Sequence, residues 1–454
     1  MRRKLLRSQI RINRLKELKK KSITHDSAIG IDNMTYSRFK QIEQSILVKI
    51  RRKVLDGSYH FKTYKEKLII KSRNEYPRCI SIPTLTDKLC LKALNETLKN
   101  YYPEYQRTKL PQEWIKELRK DLAIKRNNIF LKIDIKSFFD TINHKLLLKK
   151  LKKRIKDKVT LSLITEAIEN PTGFDTHKNC KGLPQGIAIS NILSHIYLKD
   201  LDEYYDKRDD LIYIRYVDDL LILCSTKTQA QTLKKEIENK LKDEFYLDIN
   251  EQKGKIGDIY NDKFNFLGYE IGSINSSKNE FKIVMNKKSV LKIEQKIINV
   301  LTVFKKERKY TIEKMIFNLN LLITGCLVQN ESHSKYKYDR RGWLFYYLQI
   351  TDITVLYHLD QFVRDKIKNI AKIDNDVRLY GLKKFSKTYF EMKYNLSKST
   401  YIFNINKVDK ENKQRILKEF YNKEPDEENI DRIFRYTILN QIKNYEQDII
   451  SQIS

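Results

Sequence analysis

Two acids stand side by side in Tyr216-Val217-Asp218-Asp219, within LIYIRYVDDLLIL (residues 211–223), a stretch otherwise too apolar for a surface loop. Carboxylates buried without partners destabilise a fold or take up protons, so this pair calls for a cation. A third acid, Asp134, ends the apolar run IFLKID at 129–134. Oxygen-only ligands suit magnesium, and acids from separate strands holding two ions roughly 3.5–4 Å apart are an arrangement that drives phosphoryl transfer. One ion lowers the pKa of the attacking hydroxyl, and the other neutralises charge on the departing phosphates. The competing reading of an isolated Asp-Asp is an ordinary turn, where Asp is common.

Such acids need rigid elements around them. IFLKID reads as a short strand ending at its acid, and LIYIRYVDDLLIL reads as two apolar strands flanking a two-acid turn. KEKLIIKSRNEYPRCISIP alternates charged and β-branched residues around a polar turn at Ser72–Glu75, which predicts a hairpin. Helices are expected over about 1–55 and 84–100. From residue 288, Val290, Ile293, Ile297, Val300, Leu301 and Phe304 are spaced to line one helical face. An acidic patch at Glu424–Asp431 precedes a terminal helix.

With 454 residues, 41% of them apolar, the chain is long enough for two to four subdomains. Lysine and arginine number 90 against 58 acids, giving a formal charge of +32 and favouring a polyanionic partner over a purely compositional lysine bias. Five cysteines, none spaced as CxxC and three of them inside apolar stretches, suit a reducing cytoplasm and buried thiols. No run of about 18 uncharged apolar residues occurs, so membrane spanning is not expected.

Between Gly30 and Tyr269 the blocks GIDNMTYSRF, LDGSYHF, KLIIK, RCISIPTLTDKLCLKAL, DIKSFFDTINH, KGLPQG, RYVDDLLIL and FLGY occur in one order. In that order the sequence resembles the reverse transcriptase family. The resemblance implies an α+β right-hand polymerase: a basic helical N-terminal region (1–55), fingers (56–128), a palm (129–272, with a fingers segment inserted around 145–180), a helical thumb (280–372) and a helical C-terminal region (373–454). It makes Asp134, Asp218 and Asp219 the catalytic acids and metal ligands, with the carbonyl of Ile135 as a further ligand. It implies two Mg2+ ions, with Mn2+ as a substitute. Phe139 matches the family's steric gate beneath the sugar. Lys71 and Arg78 match the cations that clamp the triphosphate, Gln185 and Gly186 the segment packed against nucleotide and template, and Lys253 a general acid near the pyrophosphate. FLGY (266–269) resembles the primer grip, while GWLFYYLQI (342–350) and LYHLDQFV (356–363) resemble thumb helices. Asp140 and His144 read as capping and packing residues.

Implied partners are RNA as template, deoxynucleoside triphosphates, a DNA product and a dedicated structured non-coding RNA, with a homo-oligomer or a companion defence protein beyond these. Among subclasses, the helical tail resembles bacterial phage-defence reverse transcriptases of the abortive-infection group. A group II intron-type or retron-type enzyme is the alternative, and a catalytically silent RNA-binding scaffold is the alternative of another class. The abortive-infection resemblance also suggests a priming tyrosine in the tail, with Tyr380, Tyr389, Tyr394, Tyr401, Tyr421, Tyr436 and Tyr445 as candidates.

Overall fold

A computed structural model describes residues 5–24, 27–70, 76–105, 109–123, 127–174, 177–275, 280–307, 310–329, 338–373 and 377–453. The chain divides into two units, residues 1–109 with 129–256, and residues 110–128 with 257–454.

In the first unit, β1 (Lys65–Ile69) and β2 (Arg78–Ile82) form the expected antiparallel hairpin, Lys65 facing Ile82 and Ile69 facing Arg78. Its expected turn, Ser72–Glu75, lies outside the described residues. The strands that carry the acids are β3 (Ile129–Asp134), β4 (Ile212–Tyr216) and β5 (Asp219–Cys224). With β6 (Lys255–Asp258) they give the sheet order β4-β5-β3-β6, and β5 is antiparallel to both neighbours. Every residue of β5 after Asp219 is buried, which explains why LLILC shows no alternation. Strand periodicity still sorts the faces: Leu220, Ile222 and Cys224 join Ile129, Leu131 and Ile133 in one core with Leu89, Leu94, Leu193, Ile196 and Phe245 from surrounding helices. Helix starts are sharp because side chains accept the first free amides. Thr84 caps Leu85–Tyr101, Asn143 caps His144–Arg154, Asp157 caps Lys158–Glu169 and Thr226 caps Lys227–Phe245. The basic N-terminal helices Leu5–Gln9 and Ile12–Ser22 pack onto Leu85–Tyr101, adding Leu6, Leu15 and Leu18 to the same core.

In the second unit, β7 (Phe264–Phe266), β8 (Tyr269–Asn275) and β9 (Glu280–Met285) form an antiparallel sheet. Helix Lys287–Lys306 buries Ile293, Ile297, Val300 and Leu301, the face expected from their spacing. The helical expectation needs two corrections further on. A small sheet, with β10 (Cys326–Gln329) between antiparallel β11 (Tyr338–Arg341) and parallel β12 (Phe403–Asn404), interrupts the helices. GWLFYYLQI contains a short 3-10 helix, Trp343–Tyr347, rather than an α-helix. Trp343, Leu344, Phe345 and Tyr347 are all buried, so no polar face exists to continue an amphipathic helix. The backbone just before it is crowded: a Cβ on Gly325 would lie 2.0 Å from the Arg341 carbonyl oxygen. LYHLDQFV does lie in an α-helix, Thr354–Lys366. The terminal helix Ile430–Ile453 packs Phe434, Ile438 and Ile442 with Leu417 and Leu321 in a second core. Among the described residues no helix is long and apolar enough to cross a membrane.

Candidate active site

The β4–β5 hairpin closes from Tyr216 to Asp219 over the two-residue turn Val217-Asp218. Val217 has φ +58°, a left-handed conformation that a β-branched residue occupies only under strain, on the order of 1–3 kcal/mol. The buried guanidinium of Arg215 holds the turn, its Nη1 donating to the Val217 carbonyl at 2.9 Å. Arg215 is gripped in turn by Asp202: Nε donates to Oδ1 at 2.6 Å, Nη2 donates to Oδ2, and the Tyr213 hydroxyl donates to Oδ1 at 3.0 Å. Burial opposes the Arg215 charge, but Asp202 outweighs it, so the guanidinium stays firmly protonated. A last tie runs to the neighbouring strand, where the Ile135 amide donates to the Asp218 carbonyl at 3.1 Å.

Asp134 and Asp219 are register partners across β3 and β5, and Asp218 sits half-buried at the adjoining tip. Sheet pairing thus brings together acids separated by more than eighty residues of sequence. Lys132 Nζ lies 3.2 Å from Asp219 Oδ1, Lys253 Nζ lies 3.5 Å from Asp134 Oδ2, and Asn250 Nδ2 donates to Asp134 Oδ2 at 3.3 Å. Burial pushes the Asp219 carboxyl above its ordinary range, Lys132 pulls it back, and the Asp134 charge pushes it up again. Among the described residues no three His, Cys, Asp or Glu side chains are gathered in an ion-holding set. The two facing acids are answered here by lysines. The donor chemistry nevertheless fits a hard divalent cation: two carboxylates facing each other across adjacent strands offer the oxygen ligands such an ion takes.

A second cluster lies around the KGLPQG segment. Gly186, at φ +105°, is pressed against β2, and a Cβ there would lie 2.8 Å from both Ile80 Cγ2 and the Ser81 carbonyl oxygen. The Ser81 amide donates to the Gln185 carbonyl at 2.7 Å, and Gln185 Nε2 donates to Asp140 Oδ1 at 3.3 Å. The Leu183 amide donates to the Phe139 carbonyl at 2.6 Å. Phe138 is buried, and Phe139 packs against the same core while remaining half-buried. Gln185, Gly186, Phe139 and the β1–β2 hairpin are therefore joined locally. Arg78 opens β2 half-buried, whereas Lys71 lies outside the described residues. The buried His144 imidazole lies 2.6 Å from the Gly182 carbonyl oxygen, whereas Asp140 is exposed.

Sequence reasoning passed over Lys132, Asn250, Arg215 and Asp202. The signal for two of them was available. Lys132 is the single charge before the acid in IFLKID and, two residues away, shares its face, while Arg215 is the single charge within IYIRY. Asn250 and Asp202 carry no such mark.

Residues 69–271 match the family model described as reverse transcriptase (RNA-dependent DNA polymerase). Over 302 residues it is 25% identical to protein YkfC of Escherichia coli K12, an alignment covering 56% of this chain and 78% of YkfC. It is 29% identical over 194 residues to the group II intron-encoded protein LtrA of Lactococcus lactis, covering 40% of this chain and 30% of LtrA. The chain therefore spans most of one curated relative and less than a third of the other. Among solved structures, telomerase from Candida albicans in complex with a fragment of telomeric RNA superposes with TM-score 0.44 and 15% identity, over 92% of this chain and 67% of the telomerase.

Proposed function

We propose that this chain is a cytoplasmic RNA-directed DNA polymerase that extends a primer with deoxynucleotides by two-metal phosphoryl transfer, in bacterial antiviral defence beside an associated non-coding RNA. The observation that carries the polymerase reading is the pairing of Asp134 with Asp219 on neighbouring strands, beside the Asp218 turn. The defence reading rests on the resemblance of the tail. Magnesium, or manganese in its place, would be held by the carboxylates of Asp134, Asp218 and Asp219 with the Ile135 carbonyl, and supplies Lewis acidity toward the primer hydroxyl and the triphosphate. The protein's own share is positioning and charge. Arg215 fixes the turn that carries Asp218. Lys253, 58% exposed and beside Asp134, would pass a proton to the leaving pyrophosphate. Phe139 stands as the ring beneath the sugar, Gln185 and Gly186 as the wall against the base pair, and Arg78 with Lys71 as the triphosphate clamp. Residues 56–128 would then act as fingers, 129–272 as palm, 280–372 as thumb and 373–454 as an accessory region. If a tail tyrosine primes synthesis, Tyr380 and Tyr394 are the candidates with exposed rings, at 89% and 71%.

Primer extension on an RNA template tests the core of this reading. Asp134→Asn and Asp218→Asn should each reduce incorporation below a few per cent of wild type while the protein stays folded by circular dichroism, and substantial residual synthesis by either would refute it. Phe139→Ala should admit ribonucleotides, and unchanged deoxy-to-ribo discrimination would place the gate elsewhere. A group II intron-type role is the second reading, favoured by the 29% identity to LtrA over 194 residues. Sequencing the RNA that copurifies with the protein separates the two: an intron supports the second, and a short non-intron RNA the first.

A further inference from the structure

Helix Phe385–Tyr394 buries Phe385, Thr388, Tyr389 and Met392, yet it also presents large aromatics on its other side. Phe390 is 44% exposed and Tyr394 71% exposed, and their rings stack across one helical turn with centroids 6.2 Å apart and planes 24° apart. Lys387, Phe390 and Tyr394 follow at i, i+3 and i+7, which puts them on one face. Just ahead of the helix, Lys383 extends the line. Both lysines sit over the Tyr401 ring, their Nζ atoms 4.3 and 4.7 Å from its centroid. Beside Tyr401 opens a cavity of about 380 Å³ whose lining includes Lys383, Lys407, Phe317 and Phe403.

The lysines of this face, Lys383 and Lys387, lack a carboxylate ion-pair partner among the described residues, and Glu391 is engaged by Asn395. Burial, reinforced by Lys387, holds the Lys383 ammonium below its ordinary range. A flat stacked pair of aromatics continuing into unpaired lysines has the chemistry of a single-stranded nucleic acid platform: bases have π-faces for the rings, and phosphates match the ammonium groups.

We propose that the stripe Lys383, Lys387, Phe390 and Tyr394, ending at the Tyr401 cavity, binds single-stranded nucleic acid through stacked bases and paired phosphates. It lies wholly within the second unit and goes beyond the polymerase site.

The test is binding of the full-length protein to a fluorescent, unstructured oligouridylate of about 20 nucleotides in EDTA. The readout needs no nucleotide incorporation, so failure here and failure of the polymerase reading are told apart. Phe390→Ser/Tyr394→Ser, altered only at exposed positions, should weaken binding about tenfold or more. Lys383→Gln/Lys387→Gln should lower the slope of log affinity against log salt by about 1 to 1.5. Photocrosslinking of 4-thiouridine in the strand should yield a peptide from 385–401. Wild-type affinity in the aromatic double variant overturns the proposal. So does a variant that loses only its binding to vesicles of anionic phospholipid, which would assign the stripe to a lipid surface instead.

Discussion

Two hairpins in this chain turn in the same number of residues by different means. β4 and β5 reverse over Val217-Asp218, and β7 and β8 reverse over Leu267-Gly268. The second turn has φ +50° and +83°, with glycine taking the more positive angle, which suits the right-handed twist of paired strands at little steric cost. The first places a buried valine at φ +58° and puts a carboxylate next to it. Its shape is imposed from outside, by Arg215 on the Val217 carbonyl, Asp202 on Arg215, and Ile135 on the Asp218 carbonyl. A turn that only reverses the chain can rely on local propensity. One that must hold two acids in place is set by tertiary hydrogen bonds.

That contrast is open to direct attack. Arg215→Met should do the greatest damage, since it leaves Asp202 partly buried without its cation and frees the Val217 carbonyl. A loss of about 3 kcal/mol or more is expected from chemical denaturation, together with a fall in kcat larger than any change in KM. Arg215→Lys, which keeps the charge but not the forked geometry, should recover part of the stability and little of the rate. If both variants extend primers at the wild-type rate, the brace is structural only. Gly268→Ala should cost about 1 kcal/mol by forcing a Cβ into the left-handed region. A larger loss would mean that this turn, too, is held from outside.

The smallest effect concerns charge rather than shape. The folded pKa of Asp219 is raised, so its contribution to stability is fully present below the ordinary Asp pKa and is lost as pH rises through the folded value. Ionised Asp219 therefore costs the metal-free protein stability at neutral pH. Asp219→Asn, which has no proton to lose, should raise the thermal midpoint slightly at pH 7 and not at pH 3. Equal midpoints for the two proteins at pH 7 would mean that Lys132 fully compensates the charge.

The acids, the strands carrying them, the β1–β2 hairpin and the face of helix Lys287–Lys306 were legible in the sequence, because each depends on local periodicity or on adjacent residues. The interruption by β10, β11 and β12 was not, since β12 is two residues long and pairs with a strand some 75 positions earlier. The 3-10 turn Trp343–Tyr347 was also hidden: an aromatic run with the right composition for a helix is buried at every position but Tyr346, and composition does not report how many faces are covered.

By itself the sequence determined which residue types are available for phosphoryl transfer, the order in which they occur, and the excess of positive charge. Tertiary structure decided which charge answers which. Asp134 faces Asp219 only because β3 pairs with β5 in a register fixed by alternating core residues, where a slip of one position would turn every side chain to the opposite face. Lys132, Lys253, Arg215 and Asp202 found their partners through that pairing and the packing around it, since ion pairs and hydrogen bonds depend on distance in space and not on separation along the chain.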